Sequence, residues 1–386
     1  MNISIIVGGR FHAFNLADQL NKNNNLKQLI TSYPKFFVNK NYKIPKDKIQ
    51  SIIIKEIVQR SFFNNLFNLD DFLIKYFDYK ASKLIDFNNL DILVGWSGFS
   101  LTSFKKSINK KCVKILERGS THIDFQTEIL KEEYKINNLK PRLPSKYIIE
   151  KEKEEYEIAD YITVPTEFAK HTFLSKGFDK NKIIKIPYGV DLNEFKLNLS
   201  TNNKTQSDKF RIIYTGTVSI RKGIVYLLKA FNDLNLKNSE LLIIGNIDNE
   251  LIPKIKKYFL NKKIIFKKPV RQFELSKYYS ISNIFVTCSL EEGLSMVQLQ
   301  AMACFLPIIC TKNSGGEEIV DHNVNGYIVP TRDINILKKK ILFLYNNPSV
   351  CKEMGIEAEK KVRNNFSWEI YGKNVIQTYQ KILLKK

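Results

Sequence analysis

The sequence predicts an α/β protein made of two doubly wound parallel sheets. Three observations predict it. Short apolar runs alternate with stretches of helical period along the 386 residues. A polar, aperiodic stretch at residues 197–209 divides the chain into two parts, each long enough for its own core. And residues 284–310 read as strand, glycine turn, helix, strand. Such a unit gathers backbone N–H groups at a helix N-terminus, a ready site for an anion such as a diphosphate.

The elements follow in order. Residues 3–7 are a compact apolar strand, and residues 13–20 a helix. Gly8 and Gly9, in the loop between them, let the backbone approach a ligand at the strand's carboxyl end. His12 reads as a cleft residue or as a helix-start residue with a local hydrogen bond. Residues 29–32 form a second strand, and residues 47–90 are largely helical in pattern. Their aromatic stripe, Phe62, Phe63, Phe67, Phe72, Tyr76 and Phe77, is expected in the core; an exposed part of it would be a candidate for membrane contact. The strand at 91–95 ends in Trp96, either a sugar platform or a packed edge residue.

The strand at 112–116 runs into Glu117-Arg118-Gly119-Ser120-Thr121-His122, where charged and polar groups crowd a strand end. Residues 145–158, with five glutamates among lysines, are expected to be a solvated helical face. Thr166 is placed to cap the helix that begins at Glu167. Beyond the linker come a strand at 210–214, a turn through Gly216, Thr217, Arg221, Lys222 and Gly223, and a helix from 224 to 231. Strands at 241–245 and 264–266 follow, then Pro269-Val270-Arg271. In the 284–310 unit, Glu292 sits at the turn and Gln300 about two helical turns on, so both can point to a similar side.

The run from Ser289 through Glu292-Gly293-Leu294-Ser295 to Gln300-Ala301-Met302-Ala303 and Pro307 resembles the signature of retaining glycosyltransferases of the GT-B fold, family 4. It departs from that signature at Leu294 and Ser295 (for Phe-Gly), at Gln300 (for a second Glu) and at Phe305 (for Gly). The loop from Gly216 to Lys222-Gly223, the Tyr188-Gly189-Val190-Asp191 turn and the Gly315-Gly316 pair resemble further elements of the family. The resemblance is good over residues 155–370 and loose before them.

The resemblance implies two Rossmann-like domains facing across a cleft. It implies an acceptor-binding domain at 1–196, a linker at 197–209, and a nucleotide-sugar-binding domain at 210–368. A closing helix at 369–386 would return to the first domain. Arg221 and Lys222 would hold the donor diphosphate, with Gly216 and Thr217 beside it and the amides of Gly293, Leu294 and Ser295 as further donors. Glu292 would bind hydroxyls of the donor sugar and Gln300 those of the ribose, with Val270 near the base. A family histidine facing the transferred sugar points to His122, and Glu117 or Arg118 could share that role. Gly9, His12, Trp96, Glu117 and Arg118 are the acceptor-cleft candidates.

The activity implied is that of a hexosyltransferase, moving a sugar from a nucleoside diphosphate to a saccharide or lipid-linked acceptor with retention, in cell-surface polysaccharide or glycolipid assembly. A nucleotide-sugar binder without transfer, a sugar-phosphate epimerase and a phosphorylase stay open. No cofactor beyond the donor is expected. No Asp-x-Asp ends a strand, and two cations can do a metal's work, so metal independence is expected.

Composition bounds these readings. Hydrophobic residues at 44% fit a globular chain. No apolar run reaches the ~20 residues of a membrane span, and the first residues read as a strand rather than a signal peptide. Five cysteines without a Cys-x-x-Cys read as reduced core residues with no metal site, as in a cytoplasmic protein. The net charge of +22 favours anionic partners. Abundant Lys, Asn and Ile are also what AT-rich genomes produce. No arginine-rich run marks a nucleic-acid face, whereas peripheral attachment to an anionic membrane needs only charge and some apolar area.

Overall fold

The computed structural model describes residues 1–61, 69–195 and 209–385. Its first sheet contains β1 (Ile3–Val7), β2 (Leu26–Thr31), β3 (Ile49–Ser51), β4 (Ile92–Trp96), β5 (Val113–Glu117), β6 (Tyr161–Val164) and β7 (Ile183–Lys185), in the order β3-β2-β1-β4-β5-β6-β7. The second contains β8 (Phe210–Thr215), β9 (Ser239–Ile244), β10 (Ile264–Lys267), β11 (Ile284–Thr287), β12 (Ile308–Thr311) and β13 (Gly326–Val329), in the order β10-β9-β8-β11-β12-β13. Neighbouring strands are parallel throughout.

Each sheet reverses its winding once, between β1 and β4 and between β8 and β11. Helices on both faces bury the central strands, which is why every residue of β1 and β11 is buried and all but Ser4 and Thr287 are apolar. The crevices at the two reversal points lie at the carboxyl ends of the strands, where open α/β sheets bind ligands.

One long element of the first lobe reaches into the second. The helix Ile123–Ile136 starts in the first lobe, but its Leu130 and Tyr134 pack into the core of the second. Its buried Glu133 accepts from the Tyr226 hydroxyl at 2.7 Å and pairs with Arg332 Nε at 2.7 Å. At the other end of the chain, the helix Trp368–Leu384 packs on the helix Ala13–Lys22, with Gly372 against Gln19.

Two expectations need correction. The segment read as largely helical holds the edge strand β3, and three residues are too few to show a period of two. The helix Lys146–Ile158 is not wholly solvated. Its Lys151, Glu152 and Glu155 are buried, while Glu150, Glu154 and Glu157 are exposed. Lys151 pairs with Asp78, and Glu155 accepts from the backbone N–H of Gly98 and Ser100. Burial, opposed by Lys151, pushes Glu155 up to about 8.

Phe77 is buried in the core and Phe72 is 64% exposed. Phe62, Phe63, Phe67 and nearly all of the linker lie outside the described residues. All five cysteines are buried, and none forms a disulfide among the described residues.

Candidate active site

Loops from both lobes meet at the carboxyl ends of β8 and β11. The turn after β8 is pinned by Gly223, whose φ of +59° is left-handed. A Cβ there would stand 2.0 Å from the Cys288 carbonyl oxygen, so only glycine lets the turn lie against the end of β11. Leu290 donates its N–H to the Arg221 carbonyl at 2.9 Å, tying the two loops together. Gly216 is half-buried at φ +134°, and Thr217 beside it is exposed.

The side chains then converge. Lys222 pairs with Glu292, which also accepts from Ser289 Oγ at 2.7 Å. Arg221 Nε lies 2.7 Å from Glu291 Oε2, and its Nη2 donates to Ser120 Oγ of the first lobe at 2.9 Å. The Ser295 N–H reaches Ser314 O at 3.4 Å. The N–H groups of Gly293 and Leu294 make no hydrogen bond among the described residues. Gln300 is buried on the helix Met296–Ala303, and its Oε1 has no partner there. Val270 is half-buried against the core.

Arg221, Lys222, Glu292 and Gly293 are therefore brought together with the Gly119-Ser120-Thr121 turn. The remaining first-lobe candidates make their contacts elsewhere. His12 Nε2 lies 3.3 Å from Glu117 Oε2, with its ring 4.0 Å from Tyr188 and 4.9 Å from Trp96. Trp96 is 3% exposed, so it packs rather than offering an open face. Gly9 is half-buried beside Phe11. Arg118 points inward. It donates to Thr121 O at 2.9 Å and Gln126 Oε1 at 3.0 Å and pairs with Glu152, so it braces the turn from beneath.

His122 is not gathered with the two cations. It is the N-cap of the Ile123–Ile136 helix, its Nδ1 accepting from Asp124 N at 3.1 Å. Its ring is buried against Tyr156, Phe173 and Phe178. Burial, aided by the Arg118 charge, pulls it down to about 4, so it is neutral at physiological pH. An aromatic cluster that a local reading of the sequence does not show turns the ring inward.

Sequence reasoning missed three residues: Glu291, Ser120 and Thr121. Thr121 donates to Glu291 from its backbone N–H at 3.1 Å and its hydroxyl at 2.6 Å, and the Ser120 hydroxyl donates as well. Burial works against the charge on Glu291, yet Arg221 and these three donors hold it at about 2. The available signal was the pair of adjacent acids, of which only one can face the same way as Lys222. Among the described residues, no three His, Cys, Asp or Glu side chains are grouped to hold a metal ion.

Residues 196–361 match the family model described as glycosyl transferases group 1. The chain is similar to an uncharacterized glycosyltransferase of Methanocaldococcus jannaschii, 27% identical over 94% of this chain and 85% of that protein. It is also similar to the capsular polysaccharide biosynthesis glycosyltransferase CapM of Staphylococcus aureus, 29% identical over 56% of this chain and 60% of CapM. Among solved structures it is similar to Anabaena HepE in complex with UDP and glucose, with a TM-score of 0.71 at 13% identity, covering 99% of this chain and 100% of HepE.

The fold is GT-B. The two parallel α/β lobes and their facing crevices are those the sequence led us to expect. The sequence matches support the group 1 glycosyltransferase family. In this GT-B chain the matched segment contains Arg221, Lys222, Glu291 and Glu292, the charged second-lobe side of the convergence, and Gln300 besides.

Proposed function

We propose that the protein is a retaining glycosyltransferase that moves a hexosyl group from a nucleoside diphosphate to an acceptor hydroxyl. The observation supporting this reading is the junction of Arg221, Lys222 and the Glu292-Gly293-Leu294 turn between the lobes. As the bond from the anomeric carbon to the diphosphate breaks, negative charge grows on the leaving group. Fixed cations and oriented N–H groups in a water-poor cleft stabilise that charge.

Each residue then has a task. Arg221 and Lys222 neutralise the diphosphate, so that no metal is needed for it. The Gly293 and Leu294 amides supply further donors. Glu292, held by Ser289 and Lys222, accepts from hydroxyls of the donor sugar. Gln300 Oε1 and its amide group meet the ribose hydroxyls, since a glutamine both donates and accepts. The acceptor would enter from the first lobe, on the side of Gly9 and the His12–Glu117 pair.

The likeness to CapM, a capsular polysaccharide biosynthesis glycosyltransferase, and to HepE in complex with UDP and glucose supports a nucleotide-sugar donor and an acceptor in polysaccharide assembly. We place the protein in the cytoplasm, touching the inner membrane face. Phe36, Ile57 and Phe72 are exposed on the first lobe, and the charge of +22 suits anionic lipid. No described helix is long and apolar enough to cross a membrane. The glutamine at position 300 favours a second reading, a donor-binding protein without transfer.

A thermal-shift screen over nucleotide sugars, followed by a transfer assay with the ligand that stabilises most, tests the proposal. A ligand that binds only the folded state raises the melting temperature. No stabilisation by any nucleoside diphosphate sugar would sink it. Stabilisation without transfer to any acceptor would favour the second reading.

A further inference from the structure

Glu291 belongs to the second lobe, but most of its hydrogen bonds come from the first. Its carboxylate is completely buried. Oε1 accepts from Ser120 Oγ, from Thr121 N at 3.1 Å and from Thr121 Oγ1 at 2.6 Å. These groups precede the helix Ile123–Ile136, whose positive end favours an anion. Oε2 takes Arg221 Nε at 2.7 Å, and Nη2 of the same guanidinium donates to Ser120 Oγ at 2.9 Å.

A guanidinium is flat and rigid, so fixing two of its nitrogens fixes the direction of the third. Arg221 Nη1 makes no hydrogen bond among the described residues, and the side chain keeps 35% exposure. Glu291 itself does not meet a substrate, because its carboxylate is completely buried behind the protein donors on its two oxygens. Its part in any reaction runs through Arg221.

We propose that Glu291 is a positioning residue that docks the β11 turn on Ser120 and Thr121 and, in the same contact, locks Arg221 with Nη1 toward the cleft. This rests on the donor reading above, in which a diphosphate meets that nitrogen. Bringing the lobes together and aiming the cation are then one event. A donor that enters the closed cleft finds Arg221 already aligned, without an entropy cost for ordering its side chain.

The test uses the full chain and its Glu291→Gln variant, which keeps the shape and removes the charge. The probe is whichever of UDP, GDP, ADP, CDP and dTDP the wild type binds most tightly by calorimetry. In Glu291→Gln, we expect a dissociation constant raised about tenfold or more and, by small-angle scattering without ligand, a larger radius of gyration. Arg221→Ala also weakens binding, and the double variant binds no worse than Arg221→Ala alone, since coupled residues are not additive.

Wild-type affinity in a folded Glu291→Gln would overturn the proposal, and so would losses that multiply in the double variant. If the wild type binds none of the five diphosphates, the donor reading fails instead. Scattering then decides for Glu291 alone, and an unchanged radius of gyration overturns its docking role. Should Glu291→Gln not fold, Thr121→Val removes one of the docking hydroxyls and carries the same expectations.

Discussion

Gly293 faces Gly119 across the gap between the lobes, and a Cβ on Gly293 would stand 2.3 Å from the Gly119 carbonyl oxygen. That neighbour is backbone and cannot swing aside. Gly293→Ala is therefore expected to wedge the lobes apart while each keeps its fold. Overpacking of this kind costs about 1–3 kcal/mol. Transfer should fall by about a hundredfold or more, as expected when reacting groups are misplaced by about an ångström. A steady-state assay alongside small-angle scattering checks both; an unaltered radius of gyration would contradict the steric argument.

Lys222 pairs with Glu292 beside the turn. Lys222→Ala removes a fixed cation from the leaving-group side and frees Glu292 to move. A fall in kcat of about 10²–10³ is expected, with a smaller change in KM, because the charge it meets grows as the bond breaks. Single-turnover measurement with the best donor from the thermal screen checks this; a loss confined to KM would assign Lys222 to ground-state binding.

Gln300→Glu restores a carboxylate facing the proposed ribose site. Hydrogen bonds to a charged acceptor exceed neutral ones by about 1 kcal/mol. Donor KM should therefore drop about fivefold with little change in kcat. A rise in KM would show that burying the charge outweighs the stronger hydrogen bond.

Stability should respond to pH from two sides. His122 sits at about 4 in the folded protein against an ordinary 6.5. Its contribution is full above 6.5 and is lost as pH falls toward 4, because the unfolded chain takes up the proton first. His122→Asn keeps a capping oxygen and should flatten the melting curve over that range. Glu155 sits at about 8 against an ordinary 4.5, so its contribution is full below 4.5 and is lost as pH rises through 8. Melting temperatures of the wild type and Glu155→Gln between pH 5 and 8 check the second slope, which the substitution should reduce.

Much of this was legible in the chain. Buried parallel strands are apolar runs, so β1, β4, β5, β8 and β11 could be placed within a residue or two. Gly223 and Thr166 could be placed because a tight turn and a helix cap demand particular residues locally. What failed depended on contacts distant in sequence. Lys151 and Glu155 look like any solvated pair until Asp78 and the Gly98–Ser100 backbone close over them. Glu291 and Glu292 are adjacent and chemically identical. Only the turn's geometry sends one to the first lobe and the other to Lys222.

The helix Ile123–Ile136 has one further consequence. Thr121, just ahead of it, holds Glu291, and Glu133 near its far end holds Arg332, about 18 Å away along the axis. A stiff rod fastened at both tips cannot release one without straining the other. A tug at either fastening would therefore be felt at its opposite.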